Sequence, residues 1–260
     1  MPGYSDNLVA MHLRLLAAVG ALAITLSAAS AQESDDMQKS QKFERTITRT
    51  LRVQYLLFTP KGYDAKGEKR WPLILFLHGA GERGTNVQKV AIHGPPKIVK
   101  SRPNFPFLVA SPQCPNDETW SNEAMLALLD ELIAKHAVDT NRVYLTGLSM
   151  GGYGAWSLAL NSPERFAAVA PICGGGDPLD LLLAPRERIE AVKALPFWFF
   201  HGAKDPVVNL EESQRMVTAL KKTGVKEVEL TVYPEAGHDS WTETYSNEKL
   251  YEWFLKHKRN

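Results

Sequence analysis

Cysteine is nearly missing: the chain has two, Cys114 and Cys173, in 260 residues. A disulfide-stapled mini-domain needs more thiols than this, and neither cysteine lies near a histidine in a zinc-ligand pattern. No Lys/Arg cluster occurs, and thirty basic residues against twenty-nine acidic ones leave a net charge of +1. That balance argues against nucleic acid or an anionic membrane surface as a partner. Internal repeats, low-complexity tracts and an interdomain linker are all lacking, so nothing divides the body of the chain. What remains is 44% apolar and 23% charged, a globular composition with enough length for one large core.

One apolar run stands out at the start. Leu15–Leu26 (LLAAVGALAITL) follows His12 and Arg14 and is followed by Ala29-Ser30-Ala31. A short basic lead, an apolar core and small residues at a cleavage site are the plan of a signal peptide. The run is too short to serve as a permanent membrane span, so no stable membrane insertion is expected after cleavage. Residues 1–10 carry Asp6 and no positive charge, which makes Met11 the better start for this pattern. No cysteine precedes Cys114, which argues against a lipid anchor. The expectation is a signal peptide over 1–31, cleaved after Ala31, and a secreted or periplasmic domain over 32–260. Export would permit a disulfide between Cys114 and Cys173, although their spacing fits no metal site.

Beyond a polar stretch the chain alternates between two patterns. Phe43–Phe58 reads as one or two strands ended by Pro60-Lys61-Gly62. Trp71–Leu77, Pro106–Ala110, Arg142–Thr146, Ala167–Ile172, Pro196–Phe200 and Glu229–Tyr233 are short, almost wholly apolar runs. Strands of that kind belong inside a parallel sheet covered on both faces. Between them lie amphipathic stretches with helical spacing: Asn122–His136 with Ser121 as its cap, Leu210–Lys222, and Tyr245–His257. Strand and helix in alternation predict an α/β fold.

The sharpest local signal is Gly147-Leu148-Ser149-Met150-Gly151, between the strand Arg142–Thr146 and a helical stretch. A serine on so sharp a strand-to-helix turn is crowded, and small residues two before and two after relieve the crowding. Its hydroxyl then projects at the carboxyl end of the sheet, over a helix N-terminus that favours negative charge. Such a serine needs a base, and the base needs an acid to hold its tautomer. Of seven histidines, His238 alone follows the final strand on a small-residue turn, Glu235-Ala236-Gly237, with reach into the centre of a site. His78 and His201 precede glycines at strand ends and are expected to support loop geometry; His93 reads as structural.

Two aspartates compete for the acid. Asp205 follows the strand Pro196–Phe200, and Asp177 follows the strand before it; both keep the order Ser, Asp, His. Pro178 after Asp177 looks like a helix start capped by that aspartate, so Asp205 is preferred. The glycine-rich Leu77–Gly84 segment follows a buried strand and offers inward N–H groups. An oxyanion hole would take one donor from Met150 and the other from Ala80 or its neighbour Gly81, with Ala80 preferred. This segment has neither glycine pattern of the nucleotide-binding loops.

Taken together, LHGAGERG, PQCP with the following Trp120, GLSMGGYGAW, FHGAKDPVV and PEAGHDSW resemble the α/β-hydrolase superfamily. The closer resemblance is to its phospholipase/carboxylesterase and dienelactone-hydrolase-like members, and it covers nearly everything from Phe43 onward. It implies a single domain with an eight-stranded, mostly parallel sheet, a metal-free triad of Ser149, Asp205 and His238, and no cofactor. The HGGG run of the hormone-sensitive-lipase-like branch is lacking. Trp120, Trp241 and Arg83 are candidate substrate contacts; core packing for the tryptophans and a surface ion pair for Arg83 are the plainer alternatives. In this fold a lid would occupy Cys173–Leu195, which is too short for a cap domain. The reading is therefore an esterase for short-acyl, aryl or carbohydrate esters, with a serine peptidase or a non-catalytic binding protein as the alternatives.

Overall fold

The computed structural model of the chain describes residues 38–259. The signal segment and the expected domain start at residue 32 lie outside the described residues. The chain divides at Thr48: residues 38–48 are exposed and without regular secondary structure, and the compact unit begins at Arg49.

Seven strands form one sheet: β1 (Tyr55–Phe58), β2 (Trp71–Leu77), β3 (Leu108–Pro112), β4 (Val138–Leu148), β5 (Ala168–Ile172), β6 (Phe197–Gly202) and β7 (Val228–Tyr233). Their order is β1-β3-β2-β4-β5-β6-β7. Only β1 is antiparallel, pairing Tyr55 with Pro112 and Phe58 with Val109 at one edge. All other neighbours are parallel. The helices are α1 (Gly94–Ile98), α2 (Asn122–Lys135), α3 (Met150–Asn161), α4 (Leu179–Leu182), α5 (Arg186–Ala194), α6 (Leu210–Thr223), α7 (Trp241–Ser246) and α8 (Glu248–Lys256).

Near-continuous apolar strands are explained by what covers each face. Because side chains alternate along a strand, Leu73, Leu75 and Leu77 of β2 enter a core with α2, α3, α5 and α6. Ile74 and Phe76 point the other way, into a core completed by Tyr245 of α7 and by Leu250, Tyr251 and Phe254 of α8. Both faces are buried, so neither set of positions is free to be polar.

Three expectations need correction. The sheet has seven strands among the described residues, where eight were implied. Of the stretch Phe43–Phe58 only Tyr55–Phe58 forms a strand; Phe43 and Ile47 are 85% and 80% exposed, so the β-branched pattern there buries no face. The helix expected over Tyr245–His257 is two, because the Asn247 side chain accepts a hydrogen bond from Lys249 N at 3.1 Å and starts α8 afresh. By contrast, α2 begins where expected, with Ser121 Oγ accepting from Ala124 N.

Every parallel strand delivers a loop to one edge of the sheet. Ala80 follows β2, Cys114 and Trp120 follow β3, Ser149 follows β4, Cys173 follows β5, Asp205 follows β6 and His238 follows β7. The carboxyl edge of an open α/β sheet is where such loops make sites.

Candidate active site

Ser149 sits between β4 and α3 at φ 51° and ψ −118°. This left-handed backbone is strained for a residue with a side chain. The neighbouring glycines explain how the turn is tolerated. A Cβ on Gly147 would lie 2.2 Å from Gly151 O, and one on Gly151 would lie 2.0 Å from Leu77 O. No other residue fits at either place. The turn is pinned by Ser149 N donating to Ile172 O at 2.9 Å.

His238 lies between Ser149 and Asp205. Its Nε2 lies 3.0 Å from Ser149 Oγ, and its Nδ1 lies 2.7 Å from Asp205 Oδ2. A carboxylate only accepts, so Nδ1 carries a hydrogen; a ring protonated there alone can accept from the serine at Nε2. Burial alone would raise the Asp205 carboxyl. The bond from His238 and those from Val208 and Val207 N–H, both 2.9 Å to Oδ1, hold it below the ordinary value. The rival Asp177 is exposed and accepts from Leu179 N at 2.9 Å, but the N-cap of α4 is Pro178, so Asp177 stands one residue ahead of the cap position expected for it. It makes no contact with His238.

On the opposite side of Ser149, Met150 is the first residue of α3, where N–H groups have no partner within the helix. Ala80 and Gly81 likewise open a short turn, Ala80–Glu82, whose first amides are unpaired within it. This loop is anchored by His78. Its Nδ1 bonds Gly79 O at 2.6 Å while its Nε2 accepts from Cys114 N at 3.0 Å. Burial keeps that imidazole neutral, with its pKa lowered to about 4.

The three candidate substrate contacts have separate fates. Trp120 lines an open groove of about 500 Å³ with Met150, Tyr153 and Gly154, and its Nε1 donates to His78 O at 3.1 Å. Trp241 stands against His238 and donates from Nε1 to His93 Nδ1 at 3.3 Å. Among the described residues the Arg83 guanidinium forms no carboxylate pair; it donates to Ala80 O and Glu118 O, at 3.1 and 3.3 Å. The connection after β5 contains only α4 and α5; Leu181 and Val192 are buried, whereas Leu179, Leu182 and Leu183 are exposed.

Two neighbours of the site were not anticipated. His201, fully buried, brings Nε2 to 3.3 Å from Asp205 Oδ2. The only sequence hint was the four-residue spacing of His201 and Asp205. Cys173 places its sulfur within 4.8 Å of ligand atoms of Asp205 and His238. Those three residue types could in principle hold a cation. Burial, however, raises the Cys173 thiol to about 12 and keeps it protonated, which disfavours such a ligand set. Both cysteines are buried and unbridged, and β2 and β4 separate the strands that carry them.

Residues 105–251 match the phospholipase/carboxylesterase family model. A crystal structure of a thermostable esterase is 35% identical, covers 80% of this chain and 60% of its own, and superposes with a TM-score of 0.65. Poly(3-hydroxyalkanoate) depolymerase C of Paucimonas lemoignei is 29% identical over 47% of this chain and 31% of its own length. A bifunctional acetylxylan esterase/xylanase of Neocallimastix patriciarum is 27% identical over 54% of this chain and 20% of its own. The chain thus spans less than a third of these two curated relatives. A seven-stranded sheet with its loops gathered at one edge, and a family match over more than half of the residues, lead to one conclusion: this chain belongs to the phospholipase/carboxylesterase family of the α/β-hydrolase fold.

Proposed function

We propose that this chain is a serine esterase, cleaving short-acyl or aryl carboxylic esters, esters of carbohydrates among them. The observation that carries the reading is His238, hydrogen-bonded at one nitrogen to Ser149 and at the other to Asp205. Family membership and the resemblance to a thermostable esterase support ester chemistry. The acetylxylan esterase relative supports a carbohydrate alcohol.

In this mechanism Ser149 Oγ gives its proton to His238 Nε2 and attacks the ester carbonyl carbon. Negative charge gathers on the carbonyl oxygen, where the Met150 and Ala80 amides donate to it, aided by the N-terminus of α3. His238 returns its proton to the departing alkoxide, and the alcohol leaves an acyl-serine. Water then gives a proton to His238 and attacks the acyl carbon; Ser149 recovers its proton as the acid departs. Asp205 holds the imidazole in the required tautomer and stabilises its charged form. The open groove beside Trp120 suits soluble substrates rather than a long chain under a lid.

The body of the chain acts as one exported catalytic domain, after cleavage behind Ala31. No helix among the described residues is long and apolar enough to cross a membrane. A fluorophosphonate probe tests the chemistry directly: the expected adduct is on Ser149, with turnover of acetyl, aryl and acetylated-sugar esters. Turnover of peptide amides with none of esters would sink the reading, as would labelling elsewhere. Sequencing the mature N-terminus from exported protein tests the cleavage site.

A further inference from the structure

Buried His201, in contact with Asp205, has a hydrogen-bonding partner at each ring nitrogen. Ser213 Oγ, on α6, lies 3.0 Å from Gly174 O, and a carbonyl can only accept. The single hydroxyl proton is therefore given to Gly174. Toward His201 Nδ1, at 2.7 Å, the same oxygen must accept, so Nδ1 carries a hydrogen. At the other side of the ring, Nε2 faces Val208 O at 2.8 Å and Asp205 Oδ2 at 3.3 Å. Both are acceptors, so Nε2 carries a hydrogen as well.

We propose that His201 is held as an imidazolium and is a positioning residue for the reaction, its charge keeping Asp205 ionised and fixed while His238 gains and loses a proton. The role rests on Asp205 being the acid, as proposed above. A fully buried cation needs a counter-charge, and Asp205 is in direct contact. The surrounding groups leave that pairing undisturbed. Glu212 and Arg215, flanking Ser213 on α6, bond each other at 2.7 Å. Lys204 pairs with Glu235 at the surface. The Cys173 thiol, beside Asp205 on the β5 loop, is kept neutral by burial. His238 is reached through Asp205. The carboxylate thus answers two imidazoles, His201 on one side and His238 on the other.

Nitrogen-15 NMR of the imidazoles in the full chain reads the charge. The expected result is two protonated nitrogens on His201 in the active protein. His201→Asn assigns the signals, and Ser213→Ala, which perturbs Nδ1 alone, assigns them if the first variant does not fold. A bare Nδ1 near neutrality, with Ser213 donating to it, overturns the proposal. In kinetics, His201→Asn should lower kcat roughly ten- to a hundred-fold with KM little changed. The acid limb of kcat/KM should move to higher pH, because a fixed positive charge no longer opposes protonation of His238. Lost activity with an unmoved acid limb would mean packing only and would overturn it. Turnover that does not need Asp205 overturns the proposed function and this role with it. A singly protonated His201 beside an essential Asp205 overturns this role alone.

Discussion

Trp241 sets its indole against the His238 imidazole with the ring planes at 90° and the centroids 5.2 Å apart. His238 is thereby supported by an aromatic edge as well as by Asp205. The indole is itself fixed by its bond to His93, whose Nε2 stands 3.8 Å from buried Glu82 on the Ala80 loop. Trp241→Phe keeps an aromatic edge and loses the bond to His93; Trp241→Ala loses both. Expected losses in kcat are roughly threefold for the first and tenfold for the second, from the usual worth of an aromatic pair. Steady-state kinetics on one aryl ester checks this, and a change confined to KM would return Trp241 to substrate contact.

Ser149→Ala should cut turnover at least about a thousand-fold with little effect on Tm. Ser149→Gly is more telling. Glycine adopts φ 51° without strain, so relief of about 1–3 kcal/mol outweighs its extra chain entropy of about 0.5–1 kcal/mol. The glycine variant should therefore be inactive and melt higher than the alanine one. Calorimetry that ranks them the other way would deny that the turn stores strain.

For the acid, Asp205→Asn should lower kcat by orders of magnitude, because an amide favours the wrong imidazole tautomer. Asp177→Asn should leave kcat nearly unchanged, since that side chain bonds only Leu179 N. Reversal of the two results would move the acid to Asp177.

Stability should fall in mild acid because of His78. Its folded-state value of about 4 lies below the ordinary 6.5, so the unfolded chain takes up the proton first. The contribution is complete above about pH 6.5 and is lost as pH falls toward 4, roughly 3 kcal/mol across that window. Urea unfolding of the native chain and of His78→Gln, at several pH values, compares the slopes. Glu82 is present in both, so the difference reports His78; parallel curves would contradict the assignment.

Both thiols should be free and unreactive in the folded protein. Burial raises Cys114 and brings Cys173 to about 12, leaving little thiolate to attack a disulfide reagent. Titration should find almost none before denaturation and two afterwards. A single disulfide in the exported protein would show that the strands carrying them are closer than β2 and β4 allow.

Much of this molecule was legible because its signals are local. Apolar runs such as Trp71–Leu77 announced buried parallel strands, since only a strand covered on both faces tolerates such a run. Gly147 and Gly151 announced the turn at Ser149, because a side chain at either would collide with backbone. Ser121 is legible as a cap from its neighbours alone, and its hydroxyl accepts from Ala124 N; Asp177, legible in the same way, bonds Leu179 N from one residue ahead of the α4 cap at Pro178.

Tertiary structure decided whatever depends on which loops meet. The order Ser, Asp, His fits Asp177 and Asp205 equally; the distance of 2.7 Å between Asp205 and His238 separates them. Nothing in the chain's order tied Trp241 to His93 or Arg83 to Glu118. His201 read as loop support, and its contact with Asp205 arises because Ser213 of α6 and Val208 turn its ring into the site. Local backbone and burial preferences are written in short stretches of sequence, so the sequence determined the strands, the turn and the nucleophile's setting. Hydrogen bonds between residues tens of positions apart exist only once the sheet has brought its loops to one edge, so the meeting of Asp205 with His238, and of His238 with Ser149, was decided by the fold.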